Sequence, residues 1–359
     1  MLICTLNLDN IGGIERESLE AYYCLLNKFE NVKLLSPKRY YKGLFKNIIA
    51  RLFFIARIYL ALFFHKNIII MHAKLIKPIY LLSKFSLRNH KIICWIHGIE
   101  VWGKEYTFVM NDLKNVNGFL SDSSNTVKAM VKKNFPKEIF KVVHPISSLL
   151  DVSDKPNYKK NKVFTLLTVS RIDSSENYKG HDLIIKALNH LINNSKLITK
   201  IEWQIVGNGN GLGNLMKLIC KYKLENYIKI YKNISDKNLK DKYLNSSVFI
   251  MPSHFGIKKN GFASGEGFGI VYLEAAFAGK PSIACKLGGQ TDLIKDKKNG
   301  ILVDPTIMSV SEAIYTYFKS HNLVENHGKE ARIIAENKFS KKVFEQDLIS
   351  SLNYFNIFE

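Results

Sequence analysis

Two carboxylates, Glu266 and Glu274, lie eight residues apart in the segment EGFGIVYLE. Glycine lets the backbone approach a ligand closely, and the first N–H groups of a helix are free to bind a phosphate. The residues that would supply this close approach and these N–H groups are Gly267, Phe268, Gly269, Ile270 and Val271. A carboxylate on each side could accept hydrogen bonds from sugar hydroxyls. The alternative is a surface loop followed by a buried helix, with Glu274 solvated.

Two cations follow another predicted strand. Arg171 comes directly after FTLLTVS, and Lys179-Gly180 comes eight residues later, before the helical pattern HDLIIKAL. Two positive charges at the carboxyl end of a strand are placed to neutralise a diphosphate. The alternative is two exposed basic residues among the 52 Lys and Arg of the chain.

Glycine-rich turns occur after two further predicted strands. In VGNGNGLG the dinucleotide spacing GxGxxG fails from Gly207 and from Gly209, because Leu212 and Asn214 stand where glycine is needed, and no GxxxxGK[ST] loop is present. Near the N-terminus, Gly12-Gly13 separates a strand from the helical pattern IERESLEAYYCLL, and such a turn suits a phosphate or a sugar hydroxyl.

A histidine ends another predicted strand. His97-Gly98 follows KIICWI, so the imidazole could hydrogen-bond a sugar or a developing charge in a cleft. The alternative is a structural histidine whose hydrogen bonds are satisfied within the protein.

These loops would meet at the carboxyl edge of a parallel sheet if strands and helices alternate along the chain. Short apolar runs rich in Val and Ile recur with helical segments between them, which predicts βαβ units and buried parallel strands. Eleven strands are predicted: 2–6, 32–35, 68–71, 92–96, 118–120, 164–169, 203–206, 228–231, 248–251, 282–284 and 301–303. The fold class is therefore α/β, with two Rossmann-like, doubly wound parallel-sheet domains facing across a cleft.

One polar segment divides the chain. DVSDKPNYKKNK lacks apolar periodicity and contains Pro156, which is typical of a linker. The predicted organisation is an N-terminal acceptor-side domain, a linker, a C-terminal nucleotide-sugar-binding domain and a final helix that packs back on the first domain. Their bounds are 1–150, 151–162, 163–338 and 339–359.

Composition limits the class of protein further. The chain has 359 residues, 47% of them hydrophobic, and a formal net charge of +21. Five cysteines without a CxxC pair indicate a reducing compartment, with neither a disulfide framework nor a zinc site. The N-terminus lacks the features of a signal peptide, and charges interrupt the longest apolar region, 44–64, so we expect a cytoplasmic protein without a spanning helix.

Taken together, these segments resemble the retaining glycosyltransferases of the GT-B fold, in the group called family 4 or group 1. The segments that carry the resemblance are NIGGIER, WIHGIE, SRIDSSENYKG, VGNG, MPS, EGFGIVYLEAAFAGKPSIA, GGQTDLI and KNGILVDP. They cover most of the chain, and the C-terminal block is the most specific. The resemblance implies transfer of a sugar from a nucleoside diphosphate to a saccharide or lipid-linked saccharide, in bacterial surface polysaccharide synthesis, with no metal or other cofactor.

The resemblance also implies roles for single residues. Glu266 would contact hydroxyls of the donor sugar, Glu274 would bind the ribose, and Arg171 and Lys179 would hold the diphosphate. His97 would lie near the reacting face of the sugar. Donor-binding backbone is expected at Gly12, Gly13, Gly207, Gly267, Phe268, Gly269, Ile270 and Val271. The segment 254–265 is longer than the family usually has, and it could touch the acceptor or act as a lid.

Basic charge is concentrated in the first half. Between Lys28 and Lys91 there are fourteen Lys or Arg residues and one acid, Glu30. We therefore predict contact of 38–91 with an anionic membrane, at the inner face of the cell membrane. The alternative is a core-facing helix with a solvated basic face.

Two other functions remain alternatives. A GT-B sugar-nucleotide epimerase would use carboxylates and histidines in the same cleft. A nucleic-acid-binding protein would fit the charge, but no recognition motif supports it, so we expect no nucleic-acid partner.

Overall fold

The chain forms two compact units. The computed structural model describes residues 1–6, 8, 12–37, 44–86, 88–159, 162–194 and 200–358. The first unit comprises Met1–Pro145, Lys259–Ala263 and Lys341–Glu359, and the second comprises Ile146–Lys258 and Ser264–Ser340. The domain bounds given by the sequence stay predictions.

The first unit is built on a six-stranded parallel sheet. Its strands are β1 (Leu2–Cys4), β2 (Lys33–Leu35), β3 (Asn67–Ile70), β4 (Lys91–Ile96), β5 (Gly118–Ser121) and β6 (Phe140–Val142). The order is β2-β1-β3-β4-β5-β6, and every pairing is parallel. The strand order reverses between β1 and β3, so the loops after these two strands flank the crevice where open α/β sheets bind ligands.

Six helices connect these strands. They are α1 (Gly13–Leu26), α2 (Leu44–Leu62), α3 (Ile76–Ser83), α4 (Ile99–Trp102), α5 (Glu105–Val109) and α6 (Ser124–Val131). α1 buries one apolar face, which includes Ala21, Cys24 and Leu25. α6 begins where the Ser123 hydroxyl accepts a hydrogen bond from the Thr126 N–H, which satisfies one of the free donors of its first turn.

The second unit contains another six-stranded parallel sheet. Its strands are β7 (Phe164–Val169), β8 (Ile201–Val206), β9 (Ile228–Tyr231), β10 (Val248–Ile250), β13 (Ser282–Cys285) and β14 (Gly300–Val303), with β11 (Gly256–Ile257) and β12 (Ala263–Ser264) forming a separate pair. The order is β14-β13-β10-β7-β8-β9, and every pairing in the large sheet is parallel. The strand order reverses between β7 and β10, which places the ligand crevice at their carboxyl ends.

Helices cover both faces of this second sheet. They are α7 (His181–Asn193), α8 (Leu212–Lys221), α9 (Asp236–Asn245), α10 (Ile270–Phe277), α11 (Ile307–Lys319) and α12 (His321–Phe339), and α13 (Lys341–Tyr354) belongs to the first unit. Successive strand residues point to opposite faces, so Leu166 packs in one core with Trp203, whereas Leu167 packs in the other with Phe249. Among the described helices, none is long and apolar enough to cross a bilayer.

The predicted fold class is confirmed, because each unit is an α/β structure with six parallel strands. All eleven predicted strands are present within a few residues of their bounds. Strand β6 was not predicted, because its three residues, FKV, include a lysine and give too short an apolar run to stand out from its surroundings.

Candidate functional site

The carboxyl edge of the second sheet carries an ion pair at its switch point. Lys179 comes from the loop after β7 and Glu266 from the loop after β10, and the Lys179 Nζ lies 2.7 Å from the Glu266 Oε1. Both side chains are largely buried, with 13% and 11% exposed. The Ser253 hydroxyl donates a second hydrogen bond to the same carboxylate oxygen, at 3.1 Å. The pair therefore lies where an open α/β sheet binds its ligand.

Burial and the Glu266 carboxylate shift the pKa of Lys179 in opposite directions. Burial alone would lower the pKa of Lys179, but attraction to Glu266 outweighs it and raises the pKa above its ordinary value. The neighbouring phenol responds to the same surroundings, since burial and then the Glu266 charge raise the pKa of Tyr178 to about 12. Lys179 is thus a positive charge held beside a carboxylate.

Local backbone geometry fixes Lys179 in this position. A short 3₁₀ turn, Asn177–Lys179, is followed by Gly180, which adopts a left-handed φ of 81° and starts α7. A side chain at Gly180 would meet Pro252 at 2.8 Å, so the loop after β10 passes directly beside it. The His254 N–H donates to the Tyr178 carbonyl at 2.9 Å and joins the two loops. A glycine at this position is therefore required by both conformation and space.

The predicted glycine loop enters α10 as a tight turn. Gly269 has a left-handed φ of 89°, and a Cβ there would lie 2.6 Å from the Tyr272 ring. The Gly289 N–H donates to the Glu266 carbonyl at 3.0 Å, and a Cβ on Gly289 would overlap the Gly267 carbonyl oxygen. Phe268, between Gly267 and Gly269, is buried, and Ile270 is the first residue of α10. This close-packed turn leads from Glu266 directly into the first turn of α10.

Glu274 is buried within α10. It accepts a hydrogen bond from the Tyr243 hydroxyl of α9 at 2.7 Å, and only 4% of it is exposed. The alternative reading of Glu274 as a solvated surface residue is wrong, because the helix turns this face toward α9. A buried carboxylate held by a hydroxyl therefore has a defined orientation.

Arg171 and Gly207 stand apart from this pair. The Arg171 side chain is 78% exposed and forms an ion pair with Glu176, five residues away. A Cβ on Gly207 would lie 1.9 Å from the Ser170 carbonyl oxygen, so this glycine lets the loops after β7 and β8 pass closely. The structure therefore brings Lys179, and not the Arg171 side chain, into contact with Glu266.

In the first unit, His97 is the centre of a buried triad. Its Nδ1 lies 2.9 Å from the Asp122 Oδ2 and 3.1 Å from the Glu17 Oε2, while Nε2 lies 2.8 Å from the Met71 carbonyl oxygen. Because all three partners accept hydrogen bonds, both ring nitrogens are placed as donors and the imidazole is held as a cation. The backbone N–H of His97 donates to Glu100 at 2.6 Å.

Burial and the charges of the triad shift the pKa values of Glu17 and His97. Burial, followed by repulsion from Asp122, raises the pKa of Glu17 to about 8. The pKa of His97 lies well above its ordinary value, because Asp122 and Glu17 outweigh the opposing effect of burial. The His97 ring therefore makes its hydrogen bonds within the protein, as expected for a structural histidine.

The same triad is the candidate for a metal. Among the described residues, Glu17, His97 and Asp122 form a group whose ligand atoms lie within 4.8 Å of one another. Their separations of 2.9 and 3.1 Å are hydrogen-bond distances, so a proton on Nδ1 accounts for this arrangement.

The two N-terminal glycines start α1. Gly12 is the N-cap residue, and its N–H donates to the Glu15 Oε2 at 3.0 Å. Gly13 is the first helical residue and is exposed. The helix start is therefore capped by its own glutamate in this structure.

Several site residues were not predicted from sequence. Ser253 contacts Glu266, and Tyr243 contacts Glu274. Glu17 and Asp122 both contact His97. Ser253 and Asp122 had a usable signal, since each follows a buried strand within three residues. Glu17 and Tyr243 lie inside helical patterns, where nothing separates them from solvated residues.

Comparison with known proteins identifies the family. The profile described as "Glycosyl transferases group 1" matches residues 151–333, which is half of the chain and includes every site residue of the second unit described above. The chain therefore belongs to the group 1 glycosyltransferases.

Characterised relatives are longer than this chain. The GtfA subunit of a UDP-N-acetylglucosamine–peptide N-acetylglucosaminyltransferase from Streptococcus agalactiae is 27% identical over 246 residues, covering 65% of this chain and 44% of its own. The human alpha-1,3/1,6-mannosyltransferase ALG2 is 26% identical over 269 residues, covering 69% and 59%. The chain thus spans about half the length of the curated relatives it matches.

Solved structures share the whole fold. A glycosyltransferase from Rickettsia africae superposes with a TM-score of 0.76 at 20% identity, covering 100% of this chain and 98% of its own. HepE from Anabaena, in complex with UDP and glucose, superposes with a TM-score of 0.72 at 18% identity, covering 98% of both chains. These neighbours establish the GT-B fold for this chain.

Proposed function

We propose that this protein transfers a glycosyl group from a nucleoside diphosphate sugar, with retention of configuration at the anomeric carbon. The observation that carries the proposal is the Lys179–Glu266 pair at the switch point of the second sheet, 2.7 Å apart and beside the glycine turn into α10. A cation, a carboxylate and free helix N–H groups are the groups that a phosphate and a sugar require.

Each group has a distinct task in binding the donor. Lys179 and the first N–H groups of α10 hold the diphosphate, and Glu266 accepts hydrogen bonds from sugar hydroxyls. Glu274, oriented by Tyr243, binds the ribose. Arg171 is exposed and could reach a phosphate only by leaving Glu176.

The chemical step follows from charge. As the bond between the anomeric carbon and the phosphate oxygen breaks, negative charge develops on the diphosphate, and Lys179 and the helix N–H groups stabilise it. The departing phosphate takes the proton of the acceptor hydroxyl on the same face of the sugar, so the new bond keeps the original configuration. We propose that this step needs no metal ion, and full turnover in EDTA is the expected outcome.

The acceptor is proposed to be a saccharide or a lipid-linked saccharide, in the assembly of a bacterial surface polysaccharide. The support is family membership together with exposed apolar side chains in and just after α2 and α3. These include Leu52, Phe53 and Leu60 on α2, Phe64 just after α2 and Phe85 just after α3, each between 59% and 75% exposed.

Basic residues accompany these apolar side chains. Lys46, Arg51 and Arg57 lie on α2 and are exposed. Exposed apolar side chains together with cations fit an anionic membrane surface, where the apolar side chains enter the headgroup boundary and the cations face the lipid phosphates. We propose peripheral binding at the inner face of the cell membrane.

Liposome flotation tests this membrane contact. The protein should float with vesicles of phosphatidylglycerol at low salt and less with phosphatidylcholine alone. The double variant Phe53→Ser/Leu60→Ser should lose flotation, whereas Met216→Ser, which removes an apolar side chain that is 51% exposed in the second unit, should keep it. Equal flotation of all three proteins would refute the proposal.

A donor screen tests the activity itself. Purified protein is incubated with a panel of nucleotide sugars, and donor hydrolysis and thermal stabilisation are measured. At least one donor should be hydrolysed and should raise the melting temperature, and Glu266→Gln should abolish hydrolysis while Lys217→Ala, on the exposed face of α8, should not. Hydrolysis of no donor, with an epimerised sugar recovered instead, would favour the epimerase.

A further inference from the structure

A cavity lies at the opposite edge of the second sheet. Its volume is about 220 Å³, and its wall includes Phe164, the first residue of β7, and Ser247, Lys200 and Lys280, which precede β10, β8 and β13. These are the amino ends of the strands. The Lys179–Glu266 pair lies at the carboxyl ends, roughly 20 Å away for a six-residue strand at about 3.3 Å per residue.

Positive charge dominates this cavity. Five lysines line it: Lys159, Lys162, Lys200, Lys280 and Lys319. Among the lining residues that the structure describes, Glu325 is the only acid, and it already pairs with Lys329 at 2.6 Å and lies 3.8 Å from His321. Within the described parts of the chain, no carboxylate lies at ion-pair distance from any of the five lysines. The cavity therefore has uncompensated cations that an anion would neutralise.

Lys280 distinguishes the cavity from an ordinary basic surface. Only 5% of it is exposed, and its Nζ donates to the Asn157 carbonyl at 2.5 Å. Burial lowers the pKa of Lys280 to about 8. A buried ammonium group without an opposite charge is costly, and a bound anion removes that cost.

The backbone around Lys280 is held in place. Gly279 has a left-handed φ of 69°, and a Cβ there would meet Pro156 at 2.7 Å and the Tyr158 ring at 2.8 Å. The segment that carries Asn157 therefore packs directly on Gly279. The Lys280 N–H donates to the Ala275 carbonyl at 2.8 Å, so the cation projects from a fixed turn.

Aromatic rings form the rest of the wall. Tyr158, Phe164, Tyr317 and Phe318 line the cavity, and the rings of Phe164 and Phe318 meet edge to face with centroids 5.6 Å apart. Rings offer a flat apolar surface to a planar group, while the lysines offer donors to an anion.

We propose that this cavity is a second ligand site of the protein, separate from the donor site, which binds a small phosphorylated compound that carries a planar ring. The inference does not depend on the proposed transfer reaction, because its residues share none of the donor-site groups.

Calorimetric titration of the Lys179→Ala protein tests the site, because this variant weakens phosphate binding at the donor edge. The probes are adenosine 5′-monophosphate, inorganic phosphate and adenosine. The monophosphate should bind more tightly than phosphate, and adenosine should bind most weakly. Equal affinity for the monophosphate and for phosphate would overturn the role of the rings, and no binding of the monophosphate at low salt would overturn the site.

Removing lysine charges from the cavity is the second part of the test. In the same Lys179→Ala background, the double variant Lys162→Ala/Lys319→Ala should bind the monophosphate roughly tenfold more weakly or worse, as expected for loss of charge-assisted contacts. Lys280→Met removes the buried charge at similar volume and should weaken it by a comparable factor. The matched control Lys217→Ala/Lys237→Ala removes two exposed lysines elsewhere in the unit and should leave affinity unchanged. An equal loss in the control would assign binding to general surface charge and overturn the proposal.

Discussion

The Lys179 ammonium donates a hydrogen bond to the Glu266 carboxylate at 2.7 Å, joining residues 87 positions apart in the chain. The two loops that carry them leave adjacent strands, β7 and β10, at the point where the strand order reverses. The parallel sheet thus makes neighbours of two groups that the sequence separates, and both are largely buried.

Breaking this pair should destabilise the second unit. Lys179→Ala leaves the Glu266 carboxylate buried without its cation, and we expect a loss of about 2–4 kcal/mol in the free energy of unfolding. The double variant Lys179→Met/Glu266→Gln removes both charges and should recover at least half of that loss. Urea denaturation measures both, and an additive loss in the double variant would contradict a coupled pair.

Gly269→Ala should also destabilise the protein. The left-handed φ of 89° is unfavourable for alanine, and its Cβ would lie 2.6 Å from the Tyr272 ring, so we expect a cost of about 1–3 kcal/mol. Gly213→Ala is the matched control, since a Cβ there meets nothing within 4 Å and the residue lies inside α8. Thermal melting should show a lower midpoint for the first variant and an equal or higher one for the second.

The buried triad predicts how stability changes with pH. The pKa of Glu17 is raised from 4.5 to about 8 on folding, so the folded protein binds more protons than the unfolded chain between these values. Its contribution to stability is therefore complete below pH 4.5 and is lost as pH rises toward 8. The raised pKa of His97 acts in the same direction, because its contribution to stability is also lost as the pH rises.

Glu17→Gln should remove most of this dependence. The difference in unfolding free energy between the variant and the wild type should shift in favour of the variant by up to about 1.4 kcal/mol per pH unit between pH 5 and 8. Glu30→Gln changes an exposed glutamate and should follow the wild type throughout. Parallel curves for Glu17→Gln and the wild type would contradict the raised pKa of Glu17 in the buried triad.

The sequence predicted the parts of the site that are local. The glycine turn of 267–269, the position of Lys179 after its strand and the start of α10 at Ile270 all depend on residues close in the chain. Their geometry follows from short-range rules for turns, strand ends and helix starts, which explains why they could be predicted.

Long-range contacts could not be predicted in the same way. Tyr243 contacts Glu274 from another helix, and the triad joins Glu17 on α1 to groups that follow β4 and β5. These pairings depend on how helices pack on the sheet. Arg171 differs, because its contact is local. Its position after a strand suggested a phosphate contact, but in the structure its side chain pairs with Glu176, five residues away.

Calorimetric titration of a nucleoside diphosphate tests the central claim most directly. Using the nucleotide of whichever donor the screen identifies, the wild type and Glu266→Gln should bind with similar affinity, because the proposed role of Glu266 is to contact the sugar of the donor. Lys179→Ala should bind at least about tenfold more weakly, because it lacks the cation proposed to hold the diphosphate. Equal affinity of Lys179→Ala and the wild type, with both proteins folded, would contradict the assignment of the donor site to this edge of the sheet.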